Sequence, residues 1–426
     1  MPAHHWRPQA CAVWVSVGFT VSLICAARQP AAPGSQGLND PDPIQQVVVY
    51  KKGDDGAACV RTPILLTLPD GVLLAFGGAR YGSCSDYHGR KIFMKRSEDS
   101  GETWSDPYLV TNVTHATTIS HGDGINPGSA VFQPSTSENG MTTSGGGSSN
   151  SSTGVLWFGW VECFHKCAVP YQFVKKSLDG GRTWSQPQDI TDDIKALSKF
   201  AYGPGYGLYL AEKQRILMCG HYLRAERTSG STLDTPYDVS ESGAACIYSD
   251  DFGGTWKSGV PVPYNSSLVA PGECQPVRIS SYGNLLMTMR DTHNSHHPLW
   301  TQSYDSGESW DEALVQTNLT SATCDTSMVA KNVTGKIRLF YSHPASTVRE
   351  NMEVHWKNLN DDTPWTLLAK LWTGPAGYSC MTMMPLDNVG VLYENGETFT
   401  YDRITFAKIN YLAGQSAVHE EYSEKD

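Results

Sequence analysis

The feature that most constrains this chain is an eight-residue phrase, Ser-x-Asp-x-Gly-x-Ser/Thr-Trp, written four times. The copies are SEDSGETW from Ser97 to Trp104, SLDGGRTW from Ser177 to Trp184, SDDFGGTW from Ser249 to Trp256 and SYDSGESW from Ser303 to Trp310. Four matches to five fixed positions are not chance, and internal self-similarity means a repeat architecture. Short Asp and Ser side chains bond nearby backbone N–H groups and hold a tight turn, while Gly takes the conformation that other residues resist. The closing Trp is an apolar anchor that tucks the turn against the body of its repeat. The phrase therefore predicts a hairpin turn stapled onto a sheet. Its aspartates, Asp99, Asp179, Asp251 and Asp305, read as scaffold.

A second repeat runs out of phase with the first. Short apolar runs occur at Gly71–Phe76, Gly154–Val161, Arg215–Cys219, Gly283–Arg290, Gly335–Tyr341 and Gly390–Glu394. Runs rich in Leu, Val and Ile and bounded by turn residues read as buried strands. Their spacing of roughly fifty to eighty residues suits four-stranded propeller blades with loops. Four of the runs are followed by a turn phrase, as neighbouring strands of one blade would be. The expected fold is an all-β, six-bladed β-propeller with Asp-box turns, its last two blades carrying degenerate turns. One such propeller accounts for most of the 426 residues. The formal charge of −11, with no basic stripe, argues against nucleic-acid binding.

The two ends read differently from the middle. Cys11–Ala27 is uncharged and mostly apolar after a weakly basic start, which predicts a signal peptide over residues 1–27. An uncleaved anchor is the alternative. Residues 28–44 form a Pro/Gly-rich linker, residues 45–412 the propeller, and residues 413–426 an acidic polar tail. Residues 134–153 are a low-complexity surface insertion. Five Asn-x-Ser/Thr sites, at Asn112, Asn150, Asn265, Asn318 and Asn332, agree with passage through the secretory pathway. Nine cysteines remain after the leader, an odd number that leaves at least one thiol unpaired or in an intermolecular bridge. Cys163-x-His165-x-Cys167 lacks a second ligand pair at zinc spacing and reads as structural thiols or a local bridge.

A propeller does not specify its function, so the chemistry must come from residues at the mouth of its channel. The ends of the apolar runs are rich in charge. Arg61 precedes the first run and Arg80 follows it. Arg290 ends the fourth, Arg349 follows the fifth, and Glu394 ends the sixth. Converging arginines repel one another unless an anion is bound, and the guanidinium fork matches a carboxylate bidentately.

The chain resembles the exo-α-sialidase (neuraminidase) family, most nearly its animal lysosomal members, over roughly Gln45 to Leu412. The resemblance rests on Arg61-x-Pro63, the four turn phrases, Gly203-Pro204-Gly205, Glu273-Cys274-Gln275-Pro276, Tyr341-Ser342-His343-Pro344, Gly374-Pro375-x-Gly377-Tyr378-Ser379, Leu392-Tyr393-Glu394 and Thr405–Leu412. It implies that Arg61, Arg290 and Arg349 clamp the substrate carboxylate, with Glu394 orienting Arg61. It implies Tyr378 as nucleophile, Glu273 as its base, Asp86 as acid/base, and Arg80 as a further substrate contact. The expected function is retaining hydrolysis of terminal sialic acid from glycoproteins, glycolipids and oligosaccharides through a tyrosyl intermediate, with no cofactor and no metal. Sialylated glycoconjugates are then the partners, and a complex with a serine carboxypeptidase of the protective-protein type is a further implication. Delivery to the lysosome follows from the same resemblance, with secretion or membrane anchoring as alternatives.

Three positions depart from the family pattern. Thr62 stands where Ile is common, Gly78 where Glu is common, and Gly89 falls one position late after Asp86. Two other function classes share much of this sequence. A trans-sialidase would use every residue named, passing the sugar to an acceptor other than water. A non-catalytic sialic-acid- or protein-binding propeller would keep the turns but has no need of Asp86, Glu273 and Tyr378.

Overall fold

Antiparallel strands account for almost all of the regular structure. The computed structural model describes residues 44–112, 124–135, 154–164, 169–226 and 238–412, all within one compact unit, Pro43–Asp426. The expected leader, tail, Asn150, His165 and Cys167 lie outside the described residues, as do most of the expected linker and insertion.

The first sheet is a four-stranded meander of Cys59–Thr67, Leu73–Arg80, Gly89–Ser97 and Tyr108–Asn112. The second is built from Gly124–Pro134, Gly154–Phe164, Val169–Ser177 and Gln188–Asp189. Gly205–Tyr206 joins its inner edge in parallel. The third contains Lys199–Tyr202, Arg215–Glu226, Asp238–Ser249 and Lys257–Ser258, with Leu208–Leu210 paired beside them. The fourth runs through Pro271–Arg278, Leu285–Asp291, Leu299–Ser303 and Leu314–Val315. A seven-stranded sheet follows, bent around one long strand, Thr366–Met384. The first half of that strand pairs with Glu350–Asn358 and the second half with Asn388–Asn395. The arrangement is all-β and propeller-like. The first described strand, Gln45–Lys51, pairs with the last, Arg403–Asn410, so the two ends of the fold are held in one sheet.

All six apolar runs lie in strands, with side chains such as Leu74, Phe158, Leu217, Met287, Phe340 and Leu392 buried. The four repeated turns share one hydrogen-bond set. In the first, the Ser97 hydroxyl donates to Asp99 at 2.8 Å and accepts from Gly101 N–H at 2.8 Å. Asp99 also accepts from the Thr103 N–H at 2.9 Å and from its hydroxyl at 2.5 Å. The same contacts recur around Asp179, Asp251 and Asp305. Gly101 sits at φ 91°, and a Cβ there would meet the Phe406 ring at 2.0 Å, so only Gly fits.

The tryptophans reach further than the sequence suggests. Trp104 packs edge-on against Phe406 of the seven-stranded sheet, and Trp256 against Trp157 of the second. Trp184 contacts Phe76 of the first sheet as well as Phe158 of its own. The turn is thus anchored across the seam between neighbouring sheets, and not only to its own repeat. The reason is geometric: a ring projecting from the end of a strand fills the wedge between twisted sheets.

Disulfides join Cys59 to Cys84 and Cys219 to Cys246. Cys163 is also disulfide-bonded. Cys274, Cys324 and Cys380 are free and buried. Asn112, Asn265, Asn318 and Asn332 are all exposed.

Candidate active site

Irregularities in the sheets aim the site residues. Register shifts fall between Arg61 and Ile64, Ala79 and Arg80, Pro271 and Cys274, and Ala376 and Ser379. The last two intervals contain Glu273 and Tyr378. A bulge bends its strand and turns a side chain off the regular alternation. Next to Arg61, Thr62 takes a left-handed φ of 58°, unusual for a β-branched residue and held by the bonds described next.

Glu394, fully buried, is the hub. Its carboxylate accepts from Arg61 Nε at 3.0 Å and Nη2 at 3.2 Å, from Thr62 N–H at 3.0 Å, and from Tyr378 N–H at 3.1 Å. Arg61 and Glu394 lie 333 residues apart in sequence. One buried carboxylate thus fixes both an arginine and the backbone of the candidate nucleophile, the charge-assisted geometry expected of a bidentate pair.

The Tyr378 hydroxyl donates to Glu273 Oε1 at 2.5 Å and accepts from Arg290 Nη1 at 3.1 Å. Arg290 Nη1 also pairs with Glu273 Oε2 at 2.7 Å. Burial opposes ionisation of Glu273, but Arg290, His221 and the hydrogen bond from Tyr378 outweigh it and hold its carboxyl below the usual range. Burial and the adjacent Glu273 push the Tyr378 phenol well above its ordinary value, against the pull of Arg290 and Arg349. The pair therefore rests as phenol and carboxylate. The guanidinium carbons of Arg61 and Arg349 each lie 5.2 Å from the Tyr378 ring centroid, so three arginines surround one ring.

Asp86 begins a short 3-10 turn, Asp86–His88, and its side chain is 72 % exposed. Arg80 Nη1 pairs with it at 2.7 Å and Arg61 Nη1 at 3.6 Å. Arg80 Nη1 also donates to Cys84 O at 2.7 Å, and the Cys59–Cys84 bridge ties the same loop to the neighbouring strand. Seven of the eight residues picked out from the sequence are thus joined by hydrogen bonds or ion pairs, and Arg349 meets them over the Tyr378 ring. Gly78, where the family pattern has Glu, faces Pro127: a Cβ there would lie 2.8 Å from the ring, so the space is already filled.

The glycine-proline motif at residues 203–205 has a packing reason. A Cβ on Gly203 would lie 2.3 Å from Cys274 O. Gln275 donates to Pro204 O at 2.9 Å and accepts from the Ser327 hydroxyl at 2.7 Å. Ser327 in turn accepts from Met381 N–H at 2.8 Å. This buried chain links the strand carrying Glu273 to the strand carrying Tyr378.

Sequence reasoning missed four neighbours. Asn126 donates to Asp86 O at 3.2 Å. His221 acts on the charge of Glu273, while burial lowers its own pKa. Asp325 is 1 % exposed, and burial together with Glu273 raises its pKa well above the ordinary value. Tyr401 lies 3.8 Å, ring centroid to guanidinium carbon, from Arg61 and accepts from Arg349 Nη1 at 2.7 Å. None belongs to a motif, and none carried a local signal. Among the described residues, no three His, Cys, Asp or Glu side chains are grouped as metal ligands.

Residues 135–393 match the model of the BNR repeat-like domain. A sialidase of Bacteroides fragilis is 26% identical over 368 residues, covering 82% of this chain and 62% of that protein. A sialidase of Micromonospora viridifaciens is 25% identical over 409 residues, covering 89% and 56%. Sialidase-2 of Cricetulus griseus is 28% identical over 250 residues, covering 54% and 62%. This chain belongs to the BNR-repeat sialidase family. It spans about 60% of the length of these relatives. In fold, it superposes on Hadza microbial sialidase Hz136 with a TM-score of 0.66 at 24% identity, over 86% of this chain and 68% of that one. An intramolecular trans-sialidase from Ruminococcus gnavus gives 0.60 at 16% identity, over 86% and 97%.

Proposed function

We propose that this sialidase-family protein is a retaining exo-α-sialidase that hydrolyses terminal sialic acid from glycoconjugates. The observation that carries the reading is the 2.5 Å bond from Tyr378 to Glu273 inside a ring of three arginines. Sialic acid bears a carboxylate on the carbon under attack. A carboxylate nucleophile would be repelled there, whereas a phenol approaches neutral, and sialidases are the glycosidases that use Tyr.

Arg61, Arg290 and Arg349 bind the substrate carboxylate. The Tyr378 oxygen attacks the anomeric carbon as Glu273 takes the phenolic proton, and Asp86 gives a proton to the leaving glycosidic oxygen. Asp86 then takes a proton from water, which attacks the same carbon and releases Tyr378, and Glu273 returns the phenolic proton. Two displacements restore the configuration. The exposure of Asp86, beside Arg80, suits a group that must meet a leaving alcohol at the pocket mouth.

The same reading makes the fold six-bladed. The seven-stranded sheet divides where Thr366–Met384 changes partners, which yields two four-stranded blades sharing that strand beside the four separate sheets. The repeated turns are then the Asp boxes. Disulfides and exposed sequons support a secretory-pathway protein, with the lysosome as its destination and a serine carboxypeptidase as its companion by family resemblance.

The test is incubation of the purified protein with a fluorogenic sialoside while the first-formed sugar is followed by NMR. The α-anomer is expected first, and a 3-fluorosialyl fluoride should label Tyr378. A β-anomer formed first, a label elsewhere, or no turnover would sink the reading.

A further inference from the structure

The three arginines around Tyr378 are not held alike. Arg61 is paired with Glu394 and Arg290 with Glu273. Among the described residues, no carboxylate lies within ion-pair distance of Arg349. Its Nη1 donates to the Tyr401 hydroxyl at 2.7 Å and its Nη2 to Thr323 O at 3.4 Å, both uncharged acceptors. The other face of the same phenol belongs to a different arginine: the Tyr401 ring covers the Arg61 guanidinium at 3.8 Å.

We propose that Tyr401 is a positioning residue that locks Arg61 and Arg349 into one carboxylate-binding fork while leaving the charge of Arg349 uncancelled. The proposal rests on the sialidase reading and deepens it. A phenol suits this task better than an acid. It accepts one hydrogen bond and fixes the guanidinium plane, yet supplies no negative charge to compete with the incoming anion. Its π-face offers Arg61 a second, equally uncharged support. Preorganised donors of this kind cost nothing to arrange when the substrate arrives.

Tyr401 is itself well held. It sits in the connection between Asn388–Asn395 and Arg403–Asn410. The next residue, Asp402, donates from its N–H to Phe399 O at 3.3 Å and accepts from Lys52 N–H at 2.8 Å. The Phe399 ring packs edge-on against Tyr401 with centroids 5.0 Å apart. The turn is therefore fastened to the residue that follows the first described strand, Gln45–Lys51, which makes the phenol a fixed post.

The experiment compares Tyr401→Phe and Tyr401→Leu in the full chain. Loss of the hydroxyl alone should raise KM for a sialoside about 10-fold with kcat within about 3-fold, the size of one hydrogen bond to a charged group. Loss of the ring as well should raise KM about 100-fold, so that Phe rescues part of the Leu defect. The same series is titrated with two unreactive ligands, 2,3-didehydro sialic acid and its carboxamide. The carboxylate ligand should weaken in parallel with KM, and the carboxamide should change less than about 2-fold, because the fork acts on charge. Should Tyr401→Leu fail to fold, Tyr401→Phe alone decides the matter. Equal losses for both ligands, or a Tyr401→Phe enzyme that matches wild type, would overturn the assignment while the sialidase reading stands. A wild type that neither cleaves the sialoside nor binds the acid removes both.

Discussion

The repeated turns and the mouth of the channel are both dense in aspartate, glutamate and hydroxyl groups, but they are wired in opposite ways. Each turn holds its aspartate within its own eight residues: Asp305 is held by Ser303 and Ser309. At the mouth the central contacts are long-range. Glu394 is held from Arg61, and Tyr378 from a glutamate 105 residues away. The difference teaches that a local network stabilises whatever carries it, whereas a network assembled from distant strands exists only in the finished fold. Removing a turn residue should cost stability and spare chemistry, and removing a mouth residue should do the reverse.

The largest test of that contrast is Tyr378→Phe. Turnover should fall about 1000-fold or more, since the covalent step is lost. The melting temperature should stay within about 2 °C of wild type. A variant that melts far earlier would make Tyr378 a pillar of the core and erase the distinction.

Next in size is Arg349→Ala. The expected loss is about 3 kcal/mol of transition-state binding, roughly 100-fold in kcat/KM. Arg349→Lys should recover only a small part, because an ammonium does not reproduce the fork that faces Tyr401 and the substrate anion. Full recovery with Lys would mean that charge alone matters there.

The Cys59–Cys84 bridge is a covalent restraint on the site side alone, because it anchors the loop that carries Asp86. Cys84→Ser should cost about 3 kcal/mol of stability. It should also lower kcat at temperatures where the variant is still fully folded, read by assay beside circular dichroism. Unchanged kcat under those conditions would assign the bridge to the scaffold alone.

A smaller effect is expected for Asp305→Ala: about 1–2 kcal/mol of stability from the lost hydrogen bonds. Denaturant melts should register it, and kcat per folded molecule should not move. Loss of turnover in a normally folded variant would give the turn aspartates a catalytic part.

The smallest and most graded test is pH. In the fold, Asp99 is pulled to about 2 from 3.8, chiefly by the Thr103 hydroxyl and N–H. Its stabilising share is therefore complete above 3.8 and drains away as pH falls through about 2. Glu273 is likewise lowered from 4.5, so the acid limb of activity that reports it should lie below that value. An acid limb above 4.5 that persists in Glu273→Gln would belong to another group. Stability melts and rate profiles at matched pH separate the two.

Much of this was legible in one dimension. The turn phrases fixed where four hairpins lie, because their partners are four residues away or fewer. The six apolar runs marked buried strands for the same local reason. The arginines and Glu394 were legible at the ends of the apolar runs, whereas the roles of Asp86, Glu273 and Tyr378 were legible only through family resemblance, since no spacing relates one to another. Tyr401, His221, Asp325 and Asn126 stand in no motif, and only packing brings them to the network.

The sequence alone determined the repeat, the β class, the turn chemistry and a roster of charged groups. It did so because those depend on neighbours a few bonds apart. Tertiary structure alone decided that Thr366–Met384 serves two sets of partners, and that the tryptophans wedge across seams. It also decided that Glu394 binds an arginine and a tyrosine backbone at once, and that a phenol stands between Arg61 and Arg349. The last two of these need strands from opposite ends of the chain to meet in a low-dielectric interior. There a buried charge survives only if its partners are already in place, and that condition is written in the closed fold, not in any stretch of it.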